Sequence, residues 1–370
     1  MPTNLDSPMP APQLEQPRKA GDVEPFPSGK ITYLAPLPLP TPLPPHGPHI
    51  GELNEVYMDF GLGSPQVFMW QVTLGGPFSG AFSIAFLFPL IGGFMFFLFG
   101  MGWDDISHAI EGIFHETYGL ALVTGFVTLL IGLGVWHHNH NKRVAIIPTR
   151  FNRQRREVCF MPEDATEPVF VPWESLSAWV IEAQGATQYG MGIGFQHGET
   201  LTSVEFPCFG LSLAISHWEA IRGYMEYEIH DLKSIQDPQD LQGPNDPPHE
   251  GLHTFHNARA RMHQQIGDGS RNRLSGFFWY LYHVMTLWTI PNHLTEWEIR
   301  RLQRMAPQAM PEVMRQWSEP LPEEQWAKPS PELLRMSEQV RALHKRQPSR
   351  AITEIFAEAQ RLEAGNKQRA

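Results

Sequence analysis

Two groups of histidines contain the residue types from which metal sites are built. Imidazole and carboxylate groups bind zinc and other transition metals where several of them converge on one point. The first group directly follows a long apolar run and has no carboxylate or cysteine at ligand spacing, so we interpret it as a polar cap. The second recurs at roughly helical spacing, which is typical of a solvated helix face. The sequence therefore predicts no metal site. The groups are His137, His138 and His140, and then His253, His256 and His263 with Glu250 nearby.

Three glycines alternate in the stretch YGMGIGFQHGE, as in part of a dinucleotide-binding loop. They are Gly190, Gly192 and Gly194. Phosphate binding needs a helix N-terminus directly after such a loop, and none is indicated here. Glycine in an alternating strand more often marks a bulge or the close approach of another segment. The sequence also lacks the common hydrolase, metalloprotease and Walker signatures, so we expect neither catalysis nor a bound cofactor.

A basic run from Lys142 to Arg156 allows two interpretations. In the first, Arg150, Arg153, Arg155 and Arg156 contact anionic lipid headgroups, each contributing about 1 kcal/mol near a membrane surface. In the second, the run fixes the orientation of a preceding membrane helix, because positive residues stay on the cytoplasmic side. We favour the second interpretation and expect lipid contact as its by-product.

Two apolar runs must position these residues. They cover residues 78–101 and 118–136, and each supplies the roughly 20 mostly apolar residues that one helical crossing needs. The connector between them carries only acidic charges, whereas the basic run follows the second. The sequence therefore predicts a transmembrane hairpin over residues 78–141, with both termini cytoplasmic. Aromatic residues expected in an interfacial belt are Trp103, Tyr118 and Trp136.

The segment 142–232 changes to short β-rich runs separated by turns and ends in a helical period. The residues at helical intervals are Ile215, Trp218, Ile221, Met225 and Ile229, and Ser216 with Glu219 makes a capping box at the start. Antiparallel strands closed by one amphipathic helix are the plan of a pleckstrin-homology-like (PH-like) domain. The predicted fold class is thus a membrane α-helical hairpin plus an α+β cytoplasmic region.

The remaining segments are assigned from composition. The N-terminal segment is so rich in proline that we expect a disordered tail, with a docking motif for a proline-binding module as the alternative. The full set is a Pro-rich tail 1–48, a lead-in 49–77, a linker 233–252, a helical region 253–305 and C-terminal helices 306–370.

Within the helical region, residues 274–290 form an aromatic run at the lower limit for a membrane span. We expect an interfacial or buried helix there, since a third crossing would place the following arginines outside. Two helix starts are indicated further on. They are a capping box of Thr295 with Glu298, and Ser330 followed by Pro331.

The net charge of −11 is concentrated in the middle of the chain. Residues 157–299 contain 19 acidic and 6 basic residues. This balance disfavours direct nucleic-acid binding, which needs Lys and Arg against phosphates, and favours a basic partner. Cys159 and Cys208 are far apart in the segment predicted to be cytoplasmic, so we expect reduced, structural thiols.

The order of several motifs resembles a family of proteobacterial two-span membrane proteins encoded beside type VI secretion effectors. The motifs are RFNRQRREVCF, VPWESLSAWV, GFQHGE, SVEFPCFG and FFWYLYHVMTLWTIPNHLTEWE, and they cover about residues 50–300. The resemblance implies an immunity protein, anchored in a bacterial inner membrane, that binds and neutralises a cognate toxin, for example a nuclease. The alternative function is a membrane adaptor or lipid-sensing scaffold with a PH-like domain and no catalysis.

Overall fold

The computed structural model divides the chain into two units, each of which is discontinuous in sequence. Unit one combines residues 1–63, 147–237 and 310–370, and unit two combines 64–146 and 238–309. The residues that the structure describes are 18–47, 50–61, 64–162, 167–183, 189–197, 200–208, 210–235, 243 and 245–369.

The fold is mixed α+β, as predicted. The strands, all in unit one, are β1 (Val23–Phe26), β2 (Gly29–Ala35), β3 (Ile50–Leu53), β4 (Tyr57–Phe60), β5 (Thr149–Asn152), β6 (Glu157–Phe160), β7 (Val169–Pro172), β8 (Ser177–Ala183), β9 (Tyr189–His197) and β10 (Thr200–Cys208). The helices are α1 (Val67–Leu98), α2 (Trp103–Ala145), α3 (Leu211–Met225), α4 (Leu252–Gly267), α5 (Arg273–Met285), α6 (Ile290–Ala309), α7 (Glu312–Trp317), α8 (Pro331–Arg346) and α9 (Ile352–Arg369).

Unit one contains two five-stranded antiparallel sheets, with strand orders β1-β2-β8-β9-β10 and β3-β4-β5-β6-β7. Both sheets contribute to one apolar core, which α3 also enters with Trp218, Ile221 and Met225. The helical period expected after the strands is therefore confirmed as far as Met225. The capping box of Ser216 with Glu219 is wrong, because the helix begins at Leu211 and both residues lie inside it. Side chains alternate along β8, so Val180 faces this core while Trp179 belongs to a second apolar cluster.

The predicted disordered tail is wrong for the part of residues 1–48 that the structure describes. β2 lies between β1 and β8, where Tyr33 pairs with Trp179, and both Tyr33 and Leu34 are fully buried. A run of five buried residues, ITYLA in the sequence, is apolar enough to form a central strand although prolines surround it. The lead-in likewise contains β3 and β4. The strand unit is therefore larger than the segment 142–232.

The apolar helices are inserted between two paired strands. β4 and β5 are antiparallel neighbours with Tyr57 opposite Asn152 and Phe60 opposite Thr149. In the chain, α1 and α2 lie between them. Residues on both sides of the helices thus belong to the same sheet, a pairing that no local sequence pattern indicates.

Helices α1 and α2 of unit two are long and apolar enough to cross a membrane. In the most apolar 18-residue stretch of each helix, only 17% of the residues of α1 and 6% of those of α2 are buried. The core helix of a soluble protein would be largely buried. Helix α1 begins before the predicted run 78–101 and ends slightly short of it, at Leu98, whereas α2 extends beyond the run 118–136 on both sides. Phe94 and Phe126 are among the large apolar side chains that point outward.

Helix α1 widens to π-helical geometry at residues 71–75 and 83–87. Each wide turn precedes a proline, Pro77 in the first case and Pro89 in the second. Proline lacks an N–H group, and its ring collides with the carbonyl group four residues earlier, which here lies inside the wide turn. The wider turn accommodates the ring, so the helix continues through both prolines.

Glycines allow α1 and α2 to pack closely. A Cβ atom at Gly125 of α2 would lie 2.9 Å from the Cβ of Ala81 in α1, whereas a Cβ at Gly134 would meet no atom within 4 Å. We expect Gly125→Leu to destabilise the helix pair by about 1–3 kcal/mol, because the side chain overpacks the interface. Gly134→Leu on the same helix is the matched control. Unfolding of the purified protein in detergent measures the difference, and equal stability of the two variants would contradict this packing.

Candidate functional site

A buried carboxylate, that of Glu298 in α6, joins three helices of unit two. Its Oε2 atom accepts hydrogen bonds from the indole N–H of Trp70 in α1, at 2.9 Å, and of Trp136 in α2, at 3.2 Å. Its Oε1 atom lies 3.3 Å from Nδ1 of His140. Glu298 is 5% exposed and His140 is 2% exposed. A carboxylate so far from water needs donors on both oxygens, and this site supplies them.

Helical spacing brings the donors together. Trp136 and His140 are four residues apart on α2 and therefore share a face. Their rings stack at 5.2 Å with an interplanar angle of 23°. The ring of Trp70 lies 4.9 Å from that of Trp136. The start of α1 and the end of α2 are thus fastened to the same turn of α6.

The second nitrogen of His140 has a different environment from the first. Its Nε2 atom is buried and has no hydrogen-bond partner among the residues that the structure describes. Since Nδ1 faces the carboxylate, the geometry favours the tautomer with its proton on Nδ1. The Glu298 carboxylate therefore acts as a hydrogen-bond acceptor that fixes α1 and α2 against α6.

Two further carboxylates of unit two bind the starts of helices. Glu250 accepts from the backbone N–H of Val67 at 2.6 Å, and Glu296 accepts from that of Leu252 at 2.7 Å. Both N–H groups lie in a first helical turn, where they have no partner within the helix and the helix dipole attracts a negative charge. These bonds fix the beginnings of α1 and α4.

The sequence indicated Glu298 as a helix-capping residue, which is not the role that the structure shows. The capping box with Thr295 is wrong, because α6 begins at Ile290 and both residues lie inside it. Thr295 is fully buried, and its hydroxyl donates to the carbonyl of Pro291 at 2.9 Å. The signals for the observed site were a carboxylate directly after Trp297 in α6 and Trp136, which the sequence assigned to an interfacial belt.

The arginines predicted to contact lipid headgroups belong to unit one, and three of the four, Arg150, Arg153 and Arg156, are buried there. Arg150 binds both oxygens of Asp59, at 2.6 and 2.7 Å. Arg153 is fully buried, pairs with Glu55 and donates to the carbonyl of Ile229 at 3.3 Å.

The other two arginines of this group bond to neighbouring segments in the same way. Arg156 pairs with Glu226 at 2.8 Å and with Glu174 at 3.2 Å. Arg155 is half-buried and donates to the carbonyl of Trp317 at 2.8 Å. The turn between β5 and β6 carries three of the four arginines, and their guanidinium groups bond to carbonyl and carboxylate groups of unit one. The side chains are thus engaged within unit one.

The two histidine groups do not converge in the structure. No group of three or more His, Cys, Asp or Glu residues in the described ranges could hold a metal ion. His263 instead forms a hydrogen bond of 2.9 Å with the hydroxyl of Tyr280, and His137 one of 3.0 Å with Asn141. His253 and His256 lie on α4 with His263.

The glycines and cysteines of unit one have packing roles. Gly192 lies in β9 opposite Trp179, and a Cβ atom there would approach the indole ring to 2.2 Å. Close approach of another segment is therefore the reason for this glycine. Cys159 and Cys208 are both free and buried. Burial raises the pKa of Cys159 to about 12, so its thiol stays protonated and unreactive.

No protein-family model matches this sequence, and neither a curated protein nor a solved structure shows significant similarity to it.

Proposed function

We propose that this protein is an immunity protein, anchored in the bacterial inner membrane, that binds a toxin of a type VI secretion effector. The observation that carries the membrane part of the proposal is the outward-facing apolar surface of α1 and α2. Apolar side chains exposed along most of α1 and along residues 118–135 of α2 are stable in lipid and costly in water. The toxin-binding part of the proposal is supported by the family resemblance and by the acidic charge in the middle of the chain, both described above.

Strand pairing supports a cytoplasmic location for both termini. Because β4 and β5 are neighbours in one sheet, the chain enters and leaves the α1–α2 segment on the same side of a bilayer. The C-terminal part also returns to unit one, where the backbone N–H of Ser330 donates to Glu174 at 2.9 Å. The basic residues Lys142 and Arg143 in the last turn of α2 favour the cytoplasm for that side.

Cysteine labelling tests this orientation. Ser107→Cys lies in the exposed first turns of α2, and His138→Cys lies exposed near its other end. We expect a membrane-impermeant maleimide to label Ser107→Cys in cells with a permeable outer membrane, and His138→Cys only after lysis. The native protein is the control, since both of its thiols are buried. Labelling of His138→Cys before lysis would contradict the proposed orientation.

The acidic charge supports a basic partner, but fewer unpaired carboxylates are available to attract it than the sequence suggested. Some carboxylates of the acidic segment are paired with arginines of unit one and so contribute less net negative charge. Glu219 and Glu228 pair with Arg222, and Glu228 also pairs with Arg341 at 2.5 Å. A toxin with a basic cleft would therefore be attracted by the remaining carboxylates of unit one, which speed association through the long-range field.

A co-expression assay tests the toxin-binding proposal. The product of the neighbouring effector gene is induced in cells with and without this protein, and survival is counted. We expect protection by the full chain and by the Gly134→Leu variant. If cells that lack this protein are no more sensitive to the effector, the immunity function is refuted.

A membrane adaptor with a PH-like domain remains the second candidate. The apolar outer face of α5 favours this candidate, because it gives unit two an exposed apolar surface in addition to those of the two long helices. The buried arginines argue against headgroup binding by unit one. If the protein is an adaptor, the survival of cells that express the effector would not depend on it, and it would co-purify with another membrane protein. These two results distinguish an adaptor from an immunity protein.

A further inference from the structure

Helix α5 exposes a regular apolar face. Leu274, Phe277, Phe278, Leu281 and Tyr282 recur at spacings of three and four residues, which places them on one side of the helix. Phe277 is 60% exposed and Phe278 is 56% exposed. A stripe of this kind normally faces a protein core, but here it faces outward.

The opposite face of α5 is already packed within unit two. Gly276 lies against Ile266 of α4, where a Cβ atom would approach the Cδ1 atom of Ile266 to 2.6 Å. The ring of Trp279 lies 5.6 Å from that of Phe255, and Tyr280 bonds to His263. The helix is therefore fixed in place, and its exposed face does not result from loose packing.

Contacts with α1 join this face to the apolar surface of the first long helix. The hydroxyl of Tyr282 donates to Gln71 at 3.0 Å, and the hydroxyl of Ser79 donates to the carbonyl of Met285 at 2.7 Å. Exposed apolar side chains follow on α1 in the same region, including Val72 and Phe78. The two surfaces are thus continuous within one unit.

Helix α5 is too short to cross a bilayer by itself. Its 13 residues extend about 20 Å at 1.5 Å per residue, against roughly 30 Å of hydrocarbon. A single crossing would also separate residues 310–370 from the rest of unit one, yet α8 and α9 pack there against Leu39 and Ala20. The helix must therefore stay on the side from which it starts.

We propose that α5 lies in the interfacial layer of the bilayer that holds α1 and α2, with its apolar face in contact with lipid acyl chains. The inference rests on the membrane anchoring proposed above and adds a third contact to it. Amphipathic helices of this kind sink roughly 5–10 Å into the boundary between headgroups and acyl chains. Arg273, exposed at the start of α5 beside Arg271, lies where anionic headgroups would be.

Fluorescence quenching in vesicles tests the depth of α5. Single cysteines replace Phe278 on α5, Leu130 in the middle of α2 and Gln264 on the exposed side of α4. Each full-length variant is labelled with a fluorophore and reconstituted in vesicles of phosphatidylcholine and phosphatidylglycerol. Nitroxides attached to the lipid near the headgroup or near the chain end report depth, and iodide reports exposure to water.

We expect a different quencher to be the most effective at each labelled position. The label at residue 278 should lose most fluorescence to the shallow nitroxide, the label at 130 to the deep one, and the label at 264 to iodide. If the label at 130 responds to lipid but that at 278 responds only to iodide, or to no quencher, α5 does not contact lipid and the inference is overturned. If the label at 130 also fails to respond to lipid, the membrane anchoring itself is refuted.

Discussion

Replacing Glu298 with alanine is expected to lower the free energy of unfolding of unit two by about 2–5 kcal/mol, because buried donors that lose their acceptor cost about 1–3 kcal/mol each. The substitution removes the acceptor of both indole N–H groups, those of Trp70 and Trp136. The measurement is unfolding of the purified full chain in detergent, followed by tryptophan fluorescence. The two indoles should report the change directly.

Two other variants give this prediction its controls. Glu298→Gln keeps one acceptor oxygen at the same place, so it should lose less stability than Glu298→Ala. Gln303→Ala changes an exposed residue of the same helix and should alter stability by no more than about 0.5 kcal/mol. Glu298→Ala with native stability would mean that the carboxylate does not hold the three helices together.

Replacing Leu34 with alanine is expected to destabilise unit one by about 2–5 kcal/mol, the usual cost of a cavity in a packed core. Leu34 is fully buried in the apolar core that both sheets share. The same change in a disordered tail would have no effect on stability. Thermal unfolding followed by circular dichroism, with protease sensitivity as a second readout, measures the difference.

Lys30→Ala is the matched control in the same strand. Lys30 is exposed and pairs with Glu182 at 3.0 Å, and such surface pairs contribute about 0–1 kcal/mol. A variant Leu34→Ala as stable as Lys30→Ala would restore the interpretation of residues 1–48 as a tail. A clear difference would establish β2 as part of the core.

Elements whose stability is decided locally were predictable from the sequence. The apolar runs follow from their length and composition, and the helical period of α3 follows from one buried face. The start of α8 was also indicated correctly, since the Ser330 hydroxyl accepts from the backbone N–H of Leu333 at 3.1 Å. In each case the residues within about one or two helical turns contain the determining information.

Features that depend on distant partners were not predictable. β2 is stabilised by β8, which lies far along the chain, and proline-rich flanks conceal its short apolar run. The basic run has the composition of a membrane flank, but Asp59 and Glu226 bind its arginines inside unit one. Glu298 likewise becomes a site only when two other helices bring tryptophans to it. A single sequence does not show which distant residues will meet.

The pairing of β4 with β5 has a consequence for synthesis on the ribosome. β4 emerges before the two long helices, and its partner emerges after them. Until β5 emerges, the edge of β4 that it later covers is an unpaired strand edge of the kind that promotes aggregation. Completion of this sheet therefore has to wait until the apolar segment has been made. If these helices insert into a membrane as proposed above, a failure of insertion would therefore also disturb the pairing of β4 with β5 in unit one.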